Sequence, residues 1–316
     1  MCPGQRPCDP LLRIQAAIRY ARVAIRPRES RSRLGQVTVA AAAPRVDPSL
    51  ILGVPIGYGV GMSPETLTKP TGRIHAVDAL RGFAMVWMTA FHFCFDLNQF
   101  GHIQQDFYRD PFWTWQRSLI VGLFVLCAGL GQALAQAQGQ SWPRFWRRWL
   151  QVLGCALLVT LASRVMFAQS FIYFGVLHAL ALMLLVARLT AHWGAYLWLC
   201  GALVLGLKAA SADLLAWGPL AEHADLFNSP LLNWLGLITR KPITEDYVPL
   251  LPWLGVMWWG MAAGQWLIAR GRLLPSAPPH SASGWLATLG RWSLSYYMLH
   301  QPLLIGALMA LAWATA

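Results

Sequence analysis

Arg81 and His92 lie eleven residues apart inside a strongly apolar segment, AVDALRGFAMVWMTAFHFCFD at residues 76–96. At about 100° per residue a helix returns such a pair to within roughly 20° of one face and separates it by about 16 Å along the axis. Asp78 and Asp96 fall close to the same stripe, and Asp96 comes one turn beyond His92, where a carboxylate can orient an imidazole. Ionisable groups inside a bilayer are costly and point to function by default. The chemistry they offer is a cation for a phosphorylated donor at Arg81 and proton transfer, or brief acyl carriage, at His92. The plainer alternative is that Asp78 and Arg81 form a self-satisfying pair three residues apart, while His92 bonds a backbone carbonyl.

His178 is expected about 10 Å below the outer end of its apolar segment, a depth like that of His92. The two imidazoles can then meet in one cavity, or His178 can be satisfied by a neighbouring helix. His300 precedes Gln301 and Pro302. The proline frees a carbonyl one turn back and predicts a kink, which a bilayer tolerates where neighbours or a cavity satisfy the backbone. Asp246 and Tyr247 stand at the mouth of another apolar segment and could bind a polar acceptor, although anchoring at the interface explains the tyrosine equally. No metal is expected, because the eight His are dispersed and no pair of the six Cys has ligand spacing. There is no GxGxxG and no Walker pattern, so Gly129, Gly131 and Gly175 read as close-packing sites.

The elements that must position these residues are membrane helices. Of 316 residues 56% are hydrophobic and 12% charged, with 17 Trp, against roughly 25% charged in an ordinary soluble domain. Seven segments are near the length that a hydrocarbon core of about 30 Å requires: 76–96, 118–137, 149–167, 171–188, 193–210, 250–269 and 293–313. The fold predicted is all-α, a polytopic integral membrane bundle of about seven transmembrane helices. The net charge of +12 divides into +6 from residues 1–61, with nine Arg and three acids, and +6 from the rest, much of it flanking apolar segments. That distribution excludes a nucleic-acid footprint and leaves the lipid bilayer as the first partner. Homo-oligomerisation is left open.

Orientation follows from the loops. Lys69, Arg73, Arg144, Arg147, Arg148, Arg188, Arg270, Arg272 and Arg291 all fall on one side of a seven-span chain. The positive-inside rule puts that side, and the N-terminus, in the cytoplasm. The longest loop, 211–249, is then external and acidic. Residues 1–61 form a basic extension in which Arg13, Arg19, Arg22 and Arg26 are spaced as in an amphipathic helix. Met62 opens a stretch that reads as a natural start, so the division expected is 1–61, a basic and disordered extension, and 62–316, the transmembrane domain.

The segment RIHAVDALRGFAMVWMTAFHF (residues 73–93) resembles the opening of two related families of multispan acyltransferases. One is the membrane acyltransferase-3 family, whose Arg, ten residues, His pattern matches Arg81 and His92. The other, which looks closer, is the heparan-alpha-glucosaminide N-acetyltransferase-like catalytic domain of bacterial membrane proteins. Its pattern continues in FVLCAG (124–129), YFGVLHALA (173–181), DYVPLLPWLGVMWWG (246–260) and LGRWSLSYYMLHQPLL (289–304). The resemblance implies transfer of an acetyl group from cytoplasmic acetyl-CoA, as co-substrate, to an amine or hydroxyl of a saccharide on the other side of the membrane. Carried over, Arg81, with Asp78 beside it, helps hold the donor, and His92 activates the acceptor or carries the acetyl.

The reading is therefore a membrane acyltransferase of the bacterial inner membrane, with His92, Asp96, His178 and His300 catalytic, Arg81 and Asp78 toward acetyl-CoA, and Asp246 and Tyr247 toward the acceptor. The rival is a proton-coupled transporter of small solutes using the same intramembrane Asp, Arg and His track. A transporter often shows internal repeats, and none is found here. A third reading is a membrane scaffold without chemistry, which predicts that Arg81 and His92 tolerate apolar replacement.

Overall fold

The computed structural model describes residues 74–218, 220–273 and 282–314. The basic extension, its amphipathic stretch and the start at Met62 lie outside the described residues. Among the described residues eight helices carry the fold: α1 (His75–Gln99), α2 (Pro111–Ala137), α3 (Trp142–Met166), α4 (Val176–Thr190), α5 (Tyr196–Ala216), α6 (Leu250–Ala269), α7 (Ala282–Arg291) and α8 (Ser293–Ala314). The connection from α5 to α6 holds only short helical turns. The described residues contain no strand.

Five helices, α2, α3, α4 with the turn that follows it, α5 and α8, are long and apolar enough to cross a membrane. This is an integral membrane protein. Seven such segments were expected. α1 and α6 have the length but fall outside the five, α1 because it carries Asp78, Arg81, His92 and Asp96, α6 because Pro252, Gln265 and four Trp lower its mean hydropathy although it holds no charged residue.

Helix starts differ from expectation where a cap outweighs apolarity. α2 begins seven residues before the expected 118, because the Asp110 carboxylate accepts the Phe112 N–H at 2.8 Å and Pro111 takes the first helical position. α3 starts at Trp142 rather than 149, with Pro143 in its first turn and no side-chain cap at Ser141. α4 starts later than expected, at Val176 after Gly175. α7 was not anticipated. It packs along α1 through facing glycines: a Cβ at Gly82 would strike the Leu286 backbone, and one at Gly290 the Asp78 carbonyl. Small residues are how helices approach closely without an aqueous driving force.

The core lies between α2, α4 and α6, around Val125, Leu177, Met183, Met257 and Met261, with α5 packed on α6 and α3 on α4. α8 packs on α1 and runs parallel to it. Tyr296 meets Thr89, His300 meets His92 and Gln301 meets Asp96. This parallel course brings the first and last helices together at one site.

Candidate active site

A cavity of about 1890 Å³ is walled by α1, α2, α3 and α8, with the 241–248 segment across one end. His92, Asp96, Asp246, Tyr247 and His300 line it. The His92 and His300 ring centroids are 5.2 Å apart. No hydrogen bond to the His92 ring is found among the described residues.

The His300 ring has a defined state. Its Nδ1 lies 2.7 Å from the Tyr297 carbonyl, which can only accept, so Nδ1 carries the proton. Nε2 of the neutral ring is then a lone pair. Tyr296 stacks on the same imidazole, with ring planes 6° apart. Thr89 donates its one hydroxyl proton to the Met85 carbonyl at 2.9 Å, so in the 2.7 Å contact between the two hydroxyls Tyr296 donates to Thr89. These bonds clamp α8 to α1 just below the imidazole pair.

Asp96 is bound differently from expectation. Gln301 Nε2 donates to Asp96 Oδ1 at 2.8 Å, and the carboxylate serves α8 rather than the His92 ring. Gln301 points its amide nitrogen at the carboxylate and therefore leaves its oxygen over. Asp96 is 3% exposed and His300 7%, yet Asp96 Oδ2, His300 Nε2 and Gln301 Oε1 find no donor within the described protein. All three are acceptors, and the residues that carry them line one cavity. A buried polar group without a partner costs about 1–3 kcal/mol and calls for an explanation. The arrangement can receive a ligand rich in hydroxyl or amine donors.

His178 is placed outside this cavity wall, and both its nitrogens are in use. Gly175 N–H donates to Nδ1 at 3.3 Å, so Nε2 carries the proton and donates to Thr160 Oγ1 at 3.0 Å, and Thr160 donates onward to the Ile172 carbonyl at 2.8 Å. It ties the start of α4 to α3. Arg81 is also outside the wall. It pairs with Asp78 at 3.1 Å and reaches the Gly290 carbonyl at 3.4 Å, and buried Met85, Met88 and Ile120 lie between it and the imidazoles. Its side chain remains 21% exposed.

Asp246 faces the cavity and accepts the Val176 N–H at 2.8 Å, closing the N-terminus of α4. Burial pushes its carboxyl above the usual range, against the opposing pull of that N–H and of Arg117 and Lys241. Tyr247 donates to the Asn233 carbonyl at 2.6 Å and anchors the loop between α5 and α6. Sequence reasoning missed Gln301, Tyr296 and Thr89, and it missed the cations Arg117, Arg164 and Lys241 in the cavity wall. Among the described residues no group of three or more His, Cys, Asp or Glu is placed to hold a metal ion.

The family model described as heparan-alpha-glucosaminide N-acetyltransferase, catalytic, matches residues 73–302. The chain belongs to this family. The match takes in α1 to α7 and most of the first half of α8, ending at Pro302 just past the His300–Gln301 pair. The heparan-alpha-glucosaminide N-acetyltransferase catalytic domain therefore contains every residue that clamps the two imidazoles, together with all three unmatched acceptors. No curated protein and no solved structure matches the chain.

Proposed function

We propose that this chain is a transmembrane acetyltransferase that moves the acetyl group of cytoplasmic acetyl-CoA to a hydroxyl or amine of an envelope saccharide, with His92 and His300 as the reacting pair. The observation that carries the reading is the trio of buried acceptors, Asp96 Oδ2, His300 Nε2 and Gln301 Oε1, around one cavity. A saccharide supplies several hydroxyl or amine donors, and a family of N-acetyltransferases supplies the reaction class. That membership favours transfer chemistry over the proton-coupled transporter.

The bundle crosses the bacterial inner membrane seven times, with α1 and α6 as the two less apolar crossings. The parallel course of α1 and α8 fits an odd number, and the basic loops put the N-terminus inside. Arg81 then stands at the inner end, where its exposed side can hold donor phosphates while Asp78 fixes its orientation. The rise of about 16 Å from Arg81 to His92 is one that an extended pantetheine arm can cover, past the apolar plug of Met85, Met88 and Ile120.

At the centre, His300 Nε2 takes the proton of the acceptor O–H or N–H. The freed oxygen or nitrogen attacks the thioester carbonyl carbon, the C–S bond breaks, and its electron pair leaves on sulfur. The proton passes from His300 to the neighbouring His92 and from there to sulfur, so acetylated saccharide and free CoA are the products. Asp96 and Gln301 hold adjacent acceptor hydroxyls in place.

The test is sidedness of transfer. Inside-out membrane vesicles containing the protein are given labelled acetyl-CoA. Label in the enclosed saccharide fraction, absent from right-side-out vesicles, is expected. Equal labelling in both, or none in either with the protein folded, overturns the reading.

A further inference from the structure

We propose that the acceptor saccharide is carried on a lipid through a phosphate, and that its head enters the His92–His300 chamber sideways, between α3 and α8, while the tail stays in the bilayer. This rests on the acetyltransferase reading and adds the substrate class to it.

The cavity has two unlike ends. α3 packs on α4, and α8 packs on α1 and α7, so the two helices flank the same cavity from opposite sides. The wall between them is largely apolar, with Arg164 and Ser163 set into it: Leu158, Ala162 and Val165 on α3 face the cavity, as do Pro302, Ile305 and Met309 on α8. Seven residues of helix on each side give a groove about 10 Å long. Leu158 and Val165 are 58% and 57% exposed, and the neighbouring outer surface carries exposed Leu161, Leu299 and Leu303. In a membrane protein such a surface faces lipid, so the groove connects the chamber to the acyl region of the bilayer. A freely soluble saccharide has no use for that wall.

The chamber that the groove opens into carries cationic donors. Arg117, Arg164 and Lys241 line the chamber. Trp87 Nε1 bonds Gln116 Oε1 at 2.6 Å, which holds the first turns of α2 against α1 next to Arg117. Among the described residues none of these three cations forms an ion pair within 4 Å. Arg164 lies over the Phe171 ring at 5.0 Å and Lys241 over Tyr108 at 4.9 Å. Two acids lie near them, Glu245, which accepts from the Ser170 hydroxyl, and Asp246, which accepts the Val176 N–H, so three cations face two carboxylates and one positive charge is left over. Guanidinium and ammonium donors beside an apolar groove complement a phosphate at the head of a hydrocarbon chain. The sugar beyond that phosphate then meets the three buried acceptors. Transfer proceeds as above, the sugar gaining acetyl and its proton leaving with CoA.

The experiment uses the full chain in nanodiscs, with a polyprenyl-phosphate-linked hexosamine bearing a photoreactive group on the tail. Its probes are that compound, a neutral glycolipid with the same sugar and tail but no phosphate, the same sugar phosphate without the tail, and the free sugar. Binding is read by crosslinking and mass spectrometry, and transfer by label from acetyl-CoA. Crosslinks to α3 and α8, and binding weakened about tenfold by Ala162→Trp and separately by Ile305→Trp, are expected. Arg117→Gln weakens the lipid phosphate but not a neutral glycolipid. Thermal melts exclude unfolded variants. Equal use of the free sugar, with neither Trp variant changing binding, overturns the lipid-linked acceptor while leaving acetyl transfer standing. Groove crosslinks that both Trp variants abolish, without acetyl transfer to any probe, support the groove and count against the acetyltransferase reading.

Discussion

His92 of α1 faces His300 of α8 with ring centroids 5.2 Å apart, although 208 residues separate them in the chain. Two helices that run parallel from opposite ends of the domain build this pair. What fixes it is polar bonding: the Asp96–Gln301 contact above the rings and the Tyr296–Thr89 contact below.

Gln301 is the joint that should fail first. Gln301→Leu leaves both oxygens of the buried Asp96 without this donor, which costs about 1–3 kcal/mol. A melting temperature lower by several degrees is expected, together with a fall in turnover larger than the fall in folded protein. Gln301→Asn, with its shorter reach, should fall between.

His178 should behave as a helix cap. His178→Ala removes the acceptor for Gly175 N–H and the donor to Thr160, at about 1–2 kcal/mol in stability. Turnover per folded molecule should stay within about threefold of wild type, measured in detergent below the melting transition.

Arg81 should separate charge from packing. Arg81→Ala is expected to lower acetyl-CoA affinity about tenfold, or roughly 1.4 kcal/mol, and Arg81→Lys to recover most of it, by calorimetry. Equal loss in both variants would make the residue a partner of Asp78 and Gly290 alone.

Asp246 gives a pH signature. Its folded carboxyl titrates above the ordinary value of 3.8 because burial disfavours the charge. The fold thus holds this proton more tightly than the unfolded chain does. The stability tied to it is complete below that ordinary value and is lost as pH rises through the folded pKa. Asp246→Asn keeps an acceptor for Val176 N–H and never ionises. Its melting temperature should match wild type in acid and exceed it increasingly toward neutral pH.

The periodic and compositional signals were legible in the sequence. α6 and α8 lie where the apolar runs end, and the stripe of Asp78, Arg81, His92 and Asp96 is one helix. Helix starts were hidden because Asp110 and Pro111 extend α2 beyond its apolar run, by capping rather than hydropathy. α7 was hidden because a ten-residue amphipathic piece is too short for a membrane-span criterion, and its glycines acquire meaning only against Gly82. At the site, His300 was visible as an intramembrane ionisable group. Gln301 was not, since a lone amide carries no cost signal until Asp96 is seen opposite it. His178 was singled out by its type and expected depth, and its two local partners, Gly175 and Thr160, which occupy both ring nitrogens, became visible only in the fold. Arg117 and Lys241 looked like ordinary interfacial charges because their convergence depends on how the 241–248 segment packs across the bundle.

Release of free CoA from acetyl-CoA, in membranes carrying the protein with its saccharide fraction, tests the imidazole pair most directly. Wild type, His92→Ala and His300→Ala are compared at equal amounts of folded protein. Loss of about a hundredfold or more in each variant, with acetyl-CoA binding retained, is the result predicted. Wild-type rates in either variant would remove that histidine from the reaction and contradict the central claim.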